Sequence, residues 1–306
     1  MTGSTSDGLV SVVIPTYHRN DLLREAIESV RDQTHSPVET IVVDDSGTRA
    51  AAAVAEEYPD LTYLPLAENR GENPARTAGV EAASGEYVQF LDDDDLLRAD
   101  KLKKQVPLVD GSTSVVYSGL RYHGTETTIA PDPAVRGDVL RYALQFRLWP
   151  PCYTSSLLID RLVLEQVLPL RFHGAGDTTF LIDLATLTEF TYSAEPLVVK
   201  RRTNALGRSW ANTANKRALL DVHAGKYDRF DPAVRGAALA DVHRTEGSLY
   251  ARDGRWSAAI AAFARATYHT PDNRLGHGTA FLASIAGRFG LTARDRAIGA
   301  ILGGRS

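Results

Sequence analysis

The sequence predicts an α/β fold: a mostly parallel sheet with helices on both faces, followed by an all-helical C-terminal region. Three observations predict it. Short β-branched apolar runs alternate with amphipathic segments over the first 120 residues. Several of those runs lead directly into acidic or polar residues. After about residue 205 the pattern turns helical and rich in Ala and Arg.

The elements follow in order. LVSVVIP (9–15) is a β-branched run closed by proline, as a buried parallel strand requires. Residues 21–32 set Leu22, Leu23, Ala26, Ile27 and Val30 on one helical face, with Asp21 as the candidate N-cap. ETIVVDD (39–45) reads as a second strand, RAAAAVAEEY (49–58) as helix and LTYLPL (61–66) as a third strand. NPARTAGVEAA (73–83) reads as helix, stopped by Ser84-Gly85, and EYVQFL (86–91) as a strand running into Asp92. A helix is expected over 96–105. Right-handed crossovers put parallel strand ends on one edge, where such sheets bind ligands. Pro15-Thr16-Tyr17, Asp44-Asp45 and Asp92–Asp95 all fall at such ends.

Between 113 and 200, STSVVYSGL, TSSLLI and TYSAEPLVVKRR read as strands, and DRLVLEQVL and DTTFLIDLATL as helices. Two domains are expected, 1–205 and 206–306. The first carries a net charge of −11 and the second +7, within a total of −4. Gly247, Tyr250, Trp256, Ala259, Phe263, Ala266 and Pro271 fall at the offsets of a tetratricopeptide helix pair. One copy cannot build a solenoid, so packing on the chain competes with a partner surface as its role.

With 43% hydrophobic and 24% charged residues, the 306-residue chain has the composition of an ordinary globular protein. Its single cysteine, Cys152, excludes an internal disulfide. No apolar run approaches the roughly 20 residues of a membrane span. The start MTGSTSDGLV lacks the features of a signal peptide, so a cytoplasmic location is expected. The segment 288–302 alternates arginines with apolar residues at helical spacing. It suits either a peripheral contact with an anionic membrane or packing on the preceding helices.

Four consecutive aspartates, Asp92–Asp95, repel one another and call for a compensating cation. Mn²⁺ or Mg²⁺ binds carboxylate and diphosphate oxygens together. In an extended segment Asp92 and Asp94 face one way, Asp93 and Asp95 the other. Asp94 or Asp95 can also cap the helix expected next.

VSVVIPTYHR, TIVVDDSG, ENRGENPARTAGVEAASGEYVQFLDDDD and GAGDTTF occur in this order, and together they resemble the family 2 glycosyltransferases over about residues 10–205. The resemblance implies the GT-A fold, a Rossmann-like arrangement for nucleotide-diphospho-sugar transfer. It implies nucleotide contacts from Pro15, Thr16, Tyr17, Arg19, Asp45, Arg76, Asp92 and Asp93. Asp92-Asp93-Asp94 stands for the family's Asp-X-Asp motif, with Asp94, supported by Asp92, as metal ligand. Asp95 extends that motif and is left as a helix cap. Asp177 in GAGDTTF takes the position of the catalytic base. Trp149 borders the implied acceptor region, and Arg201 or Arg208 can close over the diphosphate. A tyrosine face suits base stacking, and a carboxylate at Asp45 suits a base N–H.

The implied activity is inverting, metal-dependent transfer of a sugar from a UDP, dTDP or GDP donor to a hydroxyl. The acceptor would be a glycan, a lipid-linked sugar or a small molecule. No nucleic-acid partner is expected. The alternative is a non-catalytic nucleotide-sugar-binding module whose helical tail recruits a partner. Asp177 weighs against it, because a binder needs no base.

Overall fold

The structure is a computed structural model that describes residues 8–148, 152–170, 176–201 and 209–269. The described chain falls into two compact units, one within 1–140, 148–172 and 176–203, the other within 141–147 and 204–306.

The first unit opens with β1 (Val10–Thr16), buried along its whole length. Helix α1 (Asn20–Arg31) turns Leu23, Ala26, Ile27 and Val30 inward. Its N-cap position is Arg19, not Asp21, and no side chain caps it. Asp21 instead sits in the first turn, where an acid favours the helix dipole. Next come β2 (Val38–Asp44), a short α2 (Ala52–Glu56), β3 (Thr62–Pro65), α3 (Glu72–Ala82) and β4 (Tyr87–Phe90). Gly79 lets α3 press onto the sheet: a Cβ there would lie 2.3 Å from Val13 Cγ1 and 3.2 Å from Val43 Cγ2. Gly71, with φ +89°, makes the turn into α3 that L side chains rarely adopt.

The segment 96–105 is not one helix. Leu96–Leu97 forms strand β5, and only α4 (Lys101–Gln105) is helical. Strands β6 (Thr113–Tyr122) and β7 (Thr128–Ile129) follow, then α5 (Leu140–Leu144), whose larger part belongs to the second unit. TSSLLI divides into a 3-10 turn, Thr154–Ser156, and strand β8 (Leu158–Asp160). The rest is α6 (Arg161–Glu165), α7 (Gly176–Leu187) and β9 (Glu189–Lys200).

The sheet runs β3-β2-β1-β4-β8-β6-β9-β5, with β7 beside β6. It is parallel from β3 to β4. β8 then enters antiparallel between β4 and β6, β9 pairs parallel with β6, and β5 pairs antiparallel with β9. That last pairing, Leu96 with Val199 and Leu97 with Val198, brings Lys200 beside the acid run. Val12, Ile14, Leu23, Ile27, Val42, Leu91, Leu102, Leu158 and Val198 form the core beneath it.

In the second unit, α8 (Trp210–Val222) is capped by the Ser209 side chain, which accepts from Asn212 N–H. A short α9 (Ala224–Tyr227) leads to α10 (Pro232–Arg252), capped by Asp231 with Pro232 at its first position. Helices α10 and α11 (Trp256–His269) form a hairpin. A Cβ at Gly247 would lie 2.8 Å from the Phe263 ring. Tyr250 and Trp256 pack around Ala251, Ala259 and Phe263. Pro271 and the segment 288–302 lie outside the described residues. Among the described residues no helix is long and apolar enough to cross a membrane.

Candidate active site

The ends of β1, β2 and β4 share one rim. Asp45 N donates to Thr16 O at 2.9 Å, and Thr16 Oγ1 donates to Asp93 Oδ2 at 2.9 Å. A pocket of about 290 Å³ opens there, lined among others by Pro15, Thr16, Tyr17, Arg19, Asp45, Glu72, Asp92, Asp93, Asp94 and Lys200. Tyr17 is half exposed and meets His18 edge to face at 4.6 Å, which leaves an aromatic surface at the rim.

The two acids ending β2 have different surroundings. Asp44 accepts from Ser46 N, Ala51 N and Tyr63 Oη. Burial would raise its pKa, but these hydrogen bonds outweigh that and hold it low. Asp44 therefore braces the loop into α2. Asp45 accepts from Arg70 N and Gly71 N, each at 2.8 Å, which ties the turn before α3 to the pocket wall.

The acid run is a turn, not an extended strand: Asp95 N donates to Asp92 O at 3.0 Å. Alternation of its side chains therefore fails. Donor oxygens of Asp92, Asp94 and Asp95 converge within 4.8 Å of one another. Asp93 turns to Thr16 and Arg19. Arg19 Nη1 bridges Asp93 Oδ1 at 3.0 Å and Asp94 Oδ2 at 3.1 Å.

Asp95 is not a helix cap, which corrects the sequence expectation. It is wholly buried and accepts from Ser155 Oγ at 2.8 Å, Lys200 Nζ at 2.9 Å and Arg201 N at 3.2 Å. Burial and the neighbouring Asp92 push its pKa up against the pull of Lys200. For Lys200, burial lowers the pKa but Asp92 and Asp95 raise it further, so the ammonium is held charged. Ser155 Oγ also receives Asp92 N at 3.2 Å, so one hydroxyl sets both ends of the turn.

Arg76 is the hub. It is 3% exposed, lies over the Phe90 ring, and pairs with Glu72, with Asp92 Oδ1 at 2.8 Å and with Asp177 Oδ1 at 3.5 Å. The resemblance implies a nucleotide contact for this guanidinium; in the structure it pairs with three carboxylates. Burial would raise the pKa of Asp92, but Arg76 and Lys200 outweigh it and hold the group low. Asp177 stands in the first turn of α7 and also accepts from Thr154 Oγ1 at 3.1 Å. The Thr154–Ser156 turn thus orients both the acid run and Asp177.

Of the basic residues after β9, Lys200 lines the pocket. The Arg201 guanidinium pairs with Glu25 on α1. Arg208 and Trp149 lie outside the described residues. The sequence reading missed Glu72, Thr154 and Ser155. Glu72 carried one signal, its spacing four residues before Arg76 on a helix. The two hydroxyl residues carried none, because their partners are 23 and 60 residues away.

Six carboxylates (Glu72, Asp92, Asp93, Asp94, Asp95, Asp177) surround three cations (Arg19, Arg76, Lys200), a deficit of three positive charges with every group ionised. The convergent oxygens of Asp92 and Asp94 at the pocket wall fit a hard divalent cation. The oxygens of Asp95 are already engaged by Ser155, Lys200 and Arg201 N.

Comparison with known proteins agrees with this geometry. The sequence model described as glycosyl transferase family 2 matches residues 11–168, just over half of the chain. TuaG of Bacillus subtilis, named for teichuronic acid biosynthesis, is 36% identical over 116 residues, covering 36% of this chain and 46% of its own. An uncharacterized glycosyltransferase of Nostoc is 36% identical over 177 residues, covering 53% of each. The chain thus spans about half the length of these relatives. Among solved structures, Staphylococcus aureus TarS 1–349 in complex with UDP-GlcNAc superposes with a TM-score of 0.64 at 17% identity, over 92% of this chain and 88% of that one. The mannosyltransferase PcManGT of Pyrobaculum calidifontis, in complex with GDP-Man and Mn²⁺, gives 0.57 at 22% identity, over 97% and 86%. At such identities the structures show a shared fold, and the family assignment rests on the sequence match: the chain belongs to glycosyl transferase family 2.

Proposed function

We propose that this protein is an inverting glycosyltransferase, moving a sugar from a nucleoside diphosphate to a hydroxyl acceptor in glycan biosynthesis. One observation carries the reading: the acid run and Asp177, remote in sequence, meet on the single guanidinium of Arg76. A diphosphate site and a proton acceptor side by side are what such a transfer needs. The family match and the nucleotide-sugar complexes of TarS and PcManGT support it.

In this reading Tyr17 stacks on the base, while Pro15, Thr16 and Asp45 bound its pocket. Arg19 and Lys200 draw the diphosphate to the rim. Mn²⁺ or Mg²⁺, held by Asp94 and Asp92, would supply charge to stabilise the departing diphosphate. Asp177 takes the proton of the acceptor hydroxyl as its oxygen attacks the anomeric carbon and the sugar–phosphate bond breaks. Thr154 and Arg76 hold Oδ1 of Asp177, and Oδ2 is the oxygen left to receive that proton. The helical region 206–306 is read as a separate domain.

The test is consumption of nucleotide sugars with Mn²⁺ by wild type and Asp177→Asn. The variant should lose about 10²–10⁴-fold in turnover, the usual contribution of a positioned base. Its affinity for the nucleoside diphosphate should stay unchanged. Full turnover by the variant would refute the assignment of the base.

A further inference from the structure

Glu72 has no place in the chemistry so far, yet it occupies the ground between its parts. It projects from the first turn of α3 into the pocket wall, and its side chain is 57% exposed. Its only ion pair among the described residues is to Arg76, through Oε1. The same guanidinium holds Asp92 on the diphosphate side and Asp177 on the base side. The transferred sugar must lie between those two, because its anomeric carbon leaves the diphosphate and receives the activated hydroxyl. The sugar therefore passes in front of Glu72.

We infer that Glu72 selects the donor sugar: its carboxylate accepts a hydroxyl of a neutral or amino sugar, and it turns away a sugar that carries a carboxylate. The inference rests on the transferase reading above. The charge balance supports it. Three carboxylates share one guanidinium here, so the locus is two negative charges in excess before any sugar arrives. A locus that already holds too much negative charge disfavours one more anion. Arg19 does not relieve this, since it is engaged with Asp93 and Asp94. Lys200 reaches Asp92 Oδ2 at 3.5 Å but also holds Asp95 at 2.9 Å, so four carboxylates share two cations and the excess stays at two. A simple helix-surface ion pair between Glu72 and Arg76 would predict no sugar preference at all.

The experiment titrates wild type and Glu72→Gln, both with Mn²⁺, using UDP-glucose against UDP-glucuronate and GDP-mannose against GDP-mannuronate. Each pair differs only by a hydroxymethyl or a carboxylate on the sugar. Free UDP and GDP serve as references. The wild type should bind the neutral member at least about tenfold more tightly, and Glu72→Gln should narrow that ratio severalfold while leaving the free diphosphate affinity unchanged. A general structural loss would weaken both members equally and leave the ratio intact, which would overturn the proposal. Equal affinity of the wild type for both members, with tight diphosphate binding, would overturn the Glu72 assignment alone. Absence of any diphosphate binding by the wild type would instead overturn the functional reading beneath it.

Discussion

Lys101 is buried completely, with no carboxylate beside it. Its Nζ donates to Gln89 Oε1 and Gln105 Oε1. A neutral amine has two N–H groups, which match these two carbonyls; an ammonium would add an unmatched donor and a buried charge. Burial accordingly drives the pKa well below the ordinary lysine value. The unfolded chain, by contrast, keeps its proton up to about pH 10.4. The unfolded state then binds one proton more than the native state, so this group makes stability rise with pH by about 1.4 kcal/mol per unit, up to that value. Lys101→Met removes the titration and strips both glutamine carbonyls of their donor, at about 1–3 kcal/mol each. The substitution must therefore become more harmful as pH rises from roughly pH 7 to pH 9, by up to about 1.4 kcal/mol for each unit over which the native amine is neutral. Urea denaturation of both proteins at the two pH values measures this. An equal wild-type-to-variant difference at both would show that Lys101 keeps its charge in the native state, and would refute the argument.

Gly79→Ala should force α3 away from Val13 and Val43, lowering stability by about 1–3 kcal/mol in denaturation experiments. Because α3 carries Arg76, the same variant should also weaken nucleotide binding. Ser155→Ala removes the hydroxyl that donates to Asp95 and receives Asp92 N. It should lower metal-dependent diphosphate affinity in calorimetry about tenfold, equivalent to about 1.4 kcal/mol, and leave metal-free binding unchanged.

The parallel half of the sheet was legible because each of its strands is a local signal. VSVVIPT, VETIVVD, TYLP and YVQF are short strand-like runs separated along the chain by helical segments. The other half was legible only as separate segments. Nothing local says that Leu158–Asp160 inserts between Tyr87–Phe90 and Thr113–Tyr122, since that pairing is settled by the whole sheet. The site divides in the same way. Tyr17, Asp45, the acid run and Asp177 were readable from motifs at strand ends and a helix start. Asp95 was misread because its burial depends on Lys200, 105 residues away, and on Ser155. Arg76 was recognised as important, but its partners Glu72 and Asp177 emerge only when α3 and α7 meet. The expected helix over 96–105 gave way because Leu96 and Leu97 pair with β9, an edge that no local propensity reveals.

The central claim is that the acid run holds a nucleoside diphosphate through a divalent ion. It is tested most directly by titrating the protein with UDP and GDP, in Mn²⁺ and in chelator, for wild type and Asp94→Asn. The account predicts that Mn²⁺ tightens binding of at least one diphosphate to the wild type by about tenfold or more, and that Asp94→Asn loses this increment. Equal affinity in Mn²⁺ and in chelator, or an Asp94→Asn variant that keeps the full increment, would contradict it.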